Sequence, residues 1–215
     1  MIIGIDGPAG SGKTTVAKLL AKRLGIFYLD TGAMYRALTL KAIAERVELT
    51  DNENLGNLAE TADLEIKEDR VYLSGEDVSS RIRSPLIDKS ISLVVAQPRV
   101  RAAMVKLQRK IVNKGDFVVE GRDITTVVFP QAQYKFYLDA SSLVRAQRRF
   151  KELKSKGIKV RFQELAEDLK KRDTADKTRE VSPLKISEEA ICLDTTNLTS
   201  SQTVEAIIQR MGLGK

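Results

Sequence analysis

Eight consecutive residues near the start of the chain combine glycines with a lysine and a threonine. Residues 7–14 read G-P-A-G-S-G-K-T and fit the pattern G-x-x-x-x-G-K-[ST]. In such a loop the glycines let backbone N–H groups turn inward around phosphates, the lysine reaches the β- and γ-phosphates, and the hydroxyl holds Mg²⁺. We therefore predict that the loop binds the phosphates of ATP, with Lys13 as a catalytic residue and Thr14 as the metal ligand. The predicted contacts to ATP come from Gly7, Pro8, Ala9, Gly10, Ser11, Gly12, Lys13, Thr14 and Thr15.

The sequence around this loop predicts the elements that position it. Residues 2–6 are rich in isoleucine and indicate a buried strand. Residues 13–24 carry apolar side chains at helical spacing, and Gly25 predicts the end of that helix. A helix that begins at the loop also points the positive end of its dipole at the phosphates.

Four further clusters of polar residues could bind a second substrate. Residues 30–36 read D-T-G-A-M-Y-R, and Ser92 precedes Arg101 by nine residues. Residues 120–126 read E-G-R-D-I-T-T, and residues 172–184 read R-D-T-A-D-K-T-R-E-V-S-P-L. The first and third clusters follow predicted strands, and ligands of open α/β sheets bind beyond the carboxyl ends of strands.

At these clusters the chain resembles the bacterial cytidylate kinases. The resemblance rests on D-T-G-A-M-Y-R, G-R-D-I and R-D-x-x-D-x-x-R-x-x-x-P-L, and it covers essentially the whole length, including the three-stranded insertion of the long bacterial form. The family usually has glycine after G-R-D-I, whereas this chain has Thr125. The resemblance implies an α/β fold of the P-loop NMP-kinase type. That fold is a five-stranded parallel sheet flanked by helices, with a small antiparallel three-stranded insertion and a mobile lid.

The resemblance also implies an activity, which is the transfer of phosphate from ATP to CMP or dCMP with Mg²⁺ as cofactor. It places Ser92, Arg101 and Asp123 at the base. The N4 amino group of cytosine suits a carboxylate, while N3 and O2 suit an arginine or a hydroxyl. The residues implied to bind the acceptor are Thr31, Arg36, Ser92, Arg101, Arg122, Asp123, Arg172, Asp176 and Arg179.

Within this set the resemblance assigns sugar and phosphate contacts. Asp176, helped by Arg172, is implied at the sugar hydroxyls. Arg36, Arg122 and Arg179 are implied around the monophosphate, where planar guanidinium groups can bind oxygens in pairs. The implied catalytic residues are Lys13, Arg122, Arg172 and Arg179.

The positive charge of the chain is concentrated in one segment. The net charge is +7, and residues 145–179 carry 13 Lys or Arg against 6 Asp or Glu. Such a segment could bind nucleic acid or could close over a small polyanion. Because it holds only Phe150 and Phe162 as aromatic residues, we predict a lid over small substrates and no nucleic-acid partner. Arg148 and Arg149 are further candidates for contacts to ATP.

The chain is predicted to be a single domain over residues 1–215. Its core would comprise 1–35, 90–150 and 180–215, with an acceptor-binding region at 36–90 and a lid at 150–180. Residues 63–80 predict an antiparallel insertion whose first turn is Glu68-Asp69. Predicted core strands are 2–6, 26–29, 117–120, 134–138 and 190–193. Predicted helices are 13–24, 33–46, 98–112, 142–155, 161–172 and 201–211.

Composition narrows the possible chemistry. The chain has no histidine, which excludes triads, general bases and metal sites that depend on that residue. The single Cys192 lies in an apolar run and is expected to be buried. The first strand leaves no room for a secretory signal, and no apolar run is long enough to span a membrane, so a cytoplasmic protein without membrane partners is expected. A monomer is also expected.

Three alternatives remain at this point. The acceptor could be UMP, TMP, a nucleoside or shikimate instead of CMP. The chain could instead be an ATPase that binds nucleic acid through its basic segment. Either Glu120 or Asp6 could be the carboxylate that organises the metal.

Overall fold

The computed structural model describes residues 1–67 and 70–213 of the chain. Its strands are β1 (Ile2–Asp6), β2 (Phe27–Asp30), β3 (Leu64–Lys67), β4 (Arg70–Leu73), β5 (Glu76–Asp77), β6 (Phe117–Gly121), β7 (Tyr134–Asp139) and β8 (Ile191–Asp194). Its α-helices are α1 (Lys13–Leu24), α2 (Thr31–Ala44), α3 (Asn52–Glu60), α4 (Pro85–Val95), α5 (Pro98–Val112), α6 (Ser142–Ser155), α7 (Phe162–Thr178) and α8 (Ser200–Arg210). A 3₁₀ turn at Arg81–Arg83 and a π-helical turn at Ile124–Val128 complete the described elements.

The main sheet has five parallel strands in the order β2-β6-β1-β7-β8. Neighbouring residues of β6 face opposite sides, so Val118 packs with α1 and α8 while Val119 packs with α2 and α5. Helices therefore cover both faces, which explains why the central strands are continuously apolar. The predicted five-stranded parallel sheet flanked by helices is confirmed.

The register of the sheet brings the polar clusters to one edge. Asp6, the last residue of β1, lies opposite Gly121 of β6 and Tyr137 of β7. Asp30 at the end of β2 lies opposite Glu120. The phosphate-binding loop and the clusters after β2 and β6 therefore lie side by side.

The predicted insertion is also confirmed as a three-stranded antiparallel sheet, in the order β3-β4-β5. Its buried side chains Leu64, Val71 and Val78 join the same apolar cluster as α2, so the small sheet extends the main core. The predicted turn at Glu68-Asp69 lies outside the described residues.

Two helices, α3 and α4, were not predicted from the sequence, and α7 continues to Thr178 instead of ending at residue 172. α3 begins where an Asp51 carboxylate oxygen accepts hydrogen bonds from two backbone amides, and α4 begins at Pro85, which suits the first turn of a helix. α2 starts at Thr31 because Asp30 caps it by accepting from the Ala33 amide at 2.9 Å.

The expectation of a buried Cys192 is wrong, because the residue is exposed. β8 is an edge strand, and neighbouring side chains of a strand point to opposite faces of the sheet. Leu193 packs in the core with α8, so the adjacent Cys192 points to the other face. None of the helices within residues 1–67 and 70–213 has the length and hydropathy that a membrane crossing requires.

Candidate active site

The loop between β1 and α1 forms one wall of a cleft of about 710 Å³. Gly10 and Gly12 have φ angles of +77° and +91°, which favour glycine, and Gly12 caps the first turn of α1. A side chain at Gly7 would collide with the chain, since a Cβ there would lie 2.0 Å from the Leu138 carbonyl oxygen. The loop is therefore a glycine-dependent cradle with a helix N-terminus at its base.

Lys13 is the first residue of α1 and its side chain is buried in this cradle. Its ammonium group donates a hydrogen bond to the Pro8 carbonyl oxygen at 2.7 Å. Burial, reinforced by the positive charge of Arg122, lowers the pKa of Lys13 to about 7. The residues of the cradle from Ala9 to Val16 all line the cleft, whereas Gly7 and Pro8 shape the loop behind it.

The two carboxylates that could organise a metal differ in what they contact. Asp6 is fully buried and accepts hydrogen bonds from the Ile124 amide, the Thr125 amide and the Thr125 hydroxyl at 2.7 to 2.8 Å. Glu120 lines the cleft, accepts a hydrogen bond from the Tyr28 hydroxyl at 2.7 Å and also interacts with the side chain of Thr14. Asp6 therefore fixes the backbone of the π-helical turn, and Glu120 is the carboxylate that faces the cleft.

A second cavity of about 50 Å³ adjoins the cleft, and the two share Gly32, Gly121, Arg122 and Arg172 as wall residues. Eight of the nine residues expected to bind an acceptor line this smaller cavity: Thr31, Ser92, Arg101, Arg122, Asp123, Arg172, Asp176 and Arg179. The ninth, Arg36, lines the larger cleft next to it. The structure thus brings together side chains that lie almost 150 residues apart in the sequence.

Ion pairs order the side chains of this cavity. Arg101 and Arg179 both face Asp123, the second at 3.7 Å from a carboxylate oxygen. Arg122 donates to Asp176 at 2.8 Å. Burial alone would raise the pKa of the Asp176 carboxyl, but Arg122 and Arg172 hold that pKa below its usual range.

Two arginine atoms in the same cavity are buried without a hydrogen-bond acceptor among the described residues. They are Nε of Arg101 and Nη2 of Arg179. Buried donors of this kind carry a desolvation cost until an acceptor reaches them. Their position on the cavity wall suits a ligand that offers acceptor atoms.

Several residues of the site escaped the sequence-based prediction. Asp88 on α4 accepts from Arg36 at 2.5 Å, and Arg83 donates to Asp30 at 2.6 Å beside the cleft. Arg145 of α6 donates to the Ala9 carbonyl oxygen at 3.0 Å, and its guanidinium also contacts Asp173. The sequence offered one usable signal, since Asp88 precedes Ser92 by four residues and so shares a helix face with it.

Comparisons with known proteins identify the family of the chain. The family model described as cytidylate kinase matches residues 3–212. A cytidylate kinase of Caldanaerobacter subterraneus subsp. tengcongensis is 52% identical over 207 residues, which is 96% of this chain and 92% of the relative. A cytidylate kinase of Carboxydothermus hydrogenoformans is 44% identical over 216 residues, covering 99% of this chain and 97% of the relative.

Among solved structures, an uncharacterized protein from Eubacterium ventriosum matches with a TM-score of 0.54 at 14% identity. The match covers 99% of this chain and 98% of that chain, and at this identity it shows the fold alone. The two cytidylate kinases match over nearly their whole length, and the family model matches nearly all of this chain. The chain belongs to the cytidylate kinase family.

Proposed function

We propose that this protein transfers the γ-phosphoryl group of ATP to CMP and dCMP, giving ADP with CDP or dCDP. The main observation behind the proposal is that the phosphate-binding loop and the acceptor cavity adjoin each other and share wall residues. The phosphate-binding loop at residues 7–14 opens into the same space as the cavity lined by Arg101, Asp123 and Arg179. A donor and an acceptor bound there would lie next to each other, and such positioning supplies much of the rate of phosphoryl transfer.

On the donor side, the loop amides and Lys13 are proposed to bind the β- and γ-phosphates of ATP. Mg²⁺ fits the oxygen ligands at hand, which are the Thr14 hydroxyl and, on the adjoining wall, the Glu120 carboxylate. Among the described residues no three His, Cys, Asp or Glu side chains cluster as a metal site of their own, so the metal would share the phosphate oxygens. The ion would neutralise charge on those oxygens.

On the acceptor side, four arginines are proposed to surround the reacting phosphates: Arg36, Arg122, Arg172 and Arg179. The phosphate oxygen of CMP is anionic at neutral pH and needs no strong general base to attack. The arginines would spread the charge of the transition state, and Lys13 would do the same from the donor side. This suits a chain that has no histidine.

Specificity for cytosine is proposed to come from the smaller cavity. The carboxylate of Asp123 can accept from the N4 amino group, and the free Nε of Arg101 can donate to N3 or O2. Ser92 of α4, Thr31 and Asp176 also line this cavity. Uracil would present its O4 acceptor to a carboxylate, which is unfavourable.

The helices α6 and α7 are proposed to act as the lid, whereas the predicted segment 150–180 covers α7 and only the C-terminal part of α6. They carry Arg149 and Arg172 over the cleft, and α7 also carries Asp176 and Arg179 at its end. Closing a lid excludes water, so phosphate reaches the acceptor instead of being lost to hydrolysis. We further propose a monomer in the cytoplasm, where the free thiol of Cys192 would stay reduced.

The test is a coupled assay of ADP release with Mg-ATP and a panel of CMP, dCMP, UMP, AMP, GMP and TMP. Strong turnover with CMP and dCMP and weak turnover with the others is expected. Chelation of Mg²⁺ should abolish the reaction. Equal turnover of CMP and UMP would contradict the assignment of the base-binding residues, and no turnover of any acceptor would contradict the proposed reaction.

A further inference from the structure

One carboxylate, Asp88 on α4, connects arginines from three other helices. One of its oxygens lies 2.5 Å from Nη2 of Arg36 on α2, and the other lies 2.6 Å from Nη2 of Arg149 on α6. Nη1 of Arg172 on α7 lies 3.8 Å from the first oxygen. Asp88 therefore joins the acceptor side of the cleft to both helices of the lid.

Asp88 contacts these arginines but does not line the cleft in which a phosphate would bind them. Arg36, Arg149 and Arg172 line the larger cleft, whereas Asp88 lines neither of the two cavities described above. Its side chain is 24% exposed. The carboxylate thus holds the arginines without occupying the space that a phosphate would need.

Electrostatics gives this contact a further consequence. Burial, together with the charges of Arg122 and Arg36, lowers the pKa of Arg172 to about 10, so the arginines repel one another. Burial alone would raise the pKa of Asp88, but Arg36 and Arg149 hold it below its usual range, so the carboxylate is ionised. One negative charge among several positive ones reduces the repulsion that lid closure would otherwise meet.

We propose that Asp88 is a positioning residue that couples lid closure to binding of the transferred phosphate, by holding Arg36, Arg149 and Arg172 together. This proposal rests on the proposed function, because it assumes that these arginines serve phosphoryl transfer from ATP to CMP. Asp88 would act through the arginines and would touch neither nucleotide. Its removal should therefore impair closure and transfer more than the binding of ATP in the open cleft.

The direct test is Asp88→Asn, which keeps the shape of the side chain and removes its charge. We expect kcat for CMP phosphorylation to fall about tenfold, a loss of about 1.4 kcal/mol of transition-state stabilisation, because the arginines would be held in place less often. The KM for ATP should change less than twofold, and ATP hydrolysis per phosphate transferred should rise because the lid closes less often. Asp88→Glu should restore most of kcat, because it keeps the negative charge.

The matched control is Glu45→Gln, which removes a carboxylate from an exposed ion pair with Lys41 on α2, outside both cavities. It should leave kcat and the hydrolysis ratio unchanged. Melting temperatures of all variants separate a loss of folding from a loss of positioning. A wild-type protein that does not phosphorylate CMP would overturn the proposed function. A wild-type protein that does, with an Asp88→Asn variant equal to it, would overturn the role of Asp88.

A double-mutant cycle with Arg149→Met tests the coupling to the lid. If Asp88 acts by holding Arg149, then Asp88→Asn should lower kcat much less in the Arg149→Met background than in the wild-type protein. If the fold-loss of kcat in the double variant equals the product of the two single-variant losses, the two residues act independently. That result would overturn the proposed coupling. If Asp88→Asn folds poorly, Arg149→Met alone tests the contact: it should lower kcat and raise the hydrolysis ratio, and a variant equal to the wild-type protein would overturn the coupling.

Discussion

At the residue scale, the burial of Lys13 makes its charge depend on the ligand. The pKa of Lys13 is lowered to about 7 by burial and by Arg122, and the phosphates of ATP would raise it again by attraction. At pH 8 the free protein would hold Lys13 largely neutral, and binding of ATP would take up close to one proton. Because the bound state holds more protons, ATP affinity should fall as pH rises above about 7.

Calorimetry at pH 8 in two buffers with different ionisation enthalpies measures this proton uptake. Lys13→Arg is the control, because arginine stays protonated throughout this range and should take up no proton at that position. Identical uptake by the wild-type protein and Lys13→Arg would show that Lys13 is charged before ATP binds. In that case the cradle would be solvated more than its burial indicates.

Asp123 allows a second prediction at this scale. A carboxylate can only accept from the N4 amino group of cytosine, whereas an amide can also donate to O4 of uracil. Asp123→Asn should therefore lower kcat/KM for CMP and narrow the preference for CMP over UMP by about tenfold, the usual value of a hydrogen bond to a charged group. An unchanged ratio in a folded variant would show that another group reads the base.

At the scale of elements, the sequence predicts those helices and strands whose signals are local. The strand before the phosphate-binding loop, the loop itself and α1 follow from periodicity and glycine placement. By contrast, α3 has only nine residues and contains Gly56, a weak helix former. It forms because Leu55 and Leu58 are buried in the core and because Gly56 lets the side chain of Arg99 approach closely.

The residues of the candidate site also fall into two groups, those that local sequence motifs predict and those that only the folded structure shows. Seven of the nine residues expected to bind the acceptor belong to short motifs shared with a known family, whereas Ser92 and Arg101 lie outside those motifs. Asp88 and Arg83 belong to no such motif, and their roles depend on where α4 and the preceding 3₁₀ turn pack. Their partners Arg36 and Asp30 lie more than 50 residues away, so only the folded chain shows these contacts.

The contact between β1 and the π-helical turn gives a prediction about Thr125, where the family usually has glycine. A Cβ at Gly4 would lie 2.8 Å from Cγ2 of Thr125, closer than packing allows. Gly4→Ala should therefore lower the free energy of unfolding by about 1–3 kcal/mol, as overpacking of a core does.

Thr125→Ser provides the matched background for this substitution. It removes Cγ2 and keeps the hydroxyl that donates to Asp6 at 2.7 Å. Urea unfolding should show that Gly4→Ala costs less in the Thr125→Ser protein than in the wild-type protein. An equal cost in both would place the clash elsewhere, for example at Ile124, whose Cγ2 lies 3.2 Å from the same position.

At the scale of the whole molecule, apolar and polar contacts hold different parts together. The sheet rests on two apolar clusters that include most of β1 and β6. Asp176 is the only buried residue of the described helix α7, and two of the three buried residues of α6 are Ala146 and Leu153. The lid helices thus bury few apolar side chains, and ion pairs such as Arg122 with Asp176 and Arg149 with Asp88 connect them to the rest of the molecule.

This difference predicts how amide hydrogen exchange should vary over the molecule. Segments with few buried apolar contacts open locally, so amides of α6 and α7 should exchange faster than those of β1 and β6 in the free protein. CMP together with a non-hydrolysable ATP analogue should slow the exchange of the lid amides by more than either ligand alone. The reason is that the donor cleft and the acceptor cavity share Arg172 of the lid as a wall residue, so both ligands would bring anions to the same arginine.

Hydrogen exchange followed by mass spectrometry measures this effect, with α3 as the internal reference because it packs into the core and lines neither cavity. Lid amides that exchange as slowly as those of β1 without ligands would mean that the ion pairs already hold the lid rigidly. Equal slowing by one ligand and by both would mean that closure does not depend on the second substrate. In either case the protein would have to exclude water from the reaction by the fixed walls of its cleft, and not by a lid that closes when both nucleotides are bound.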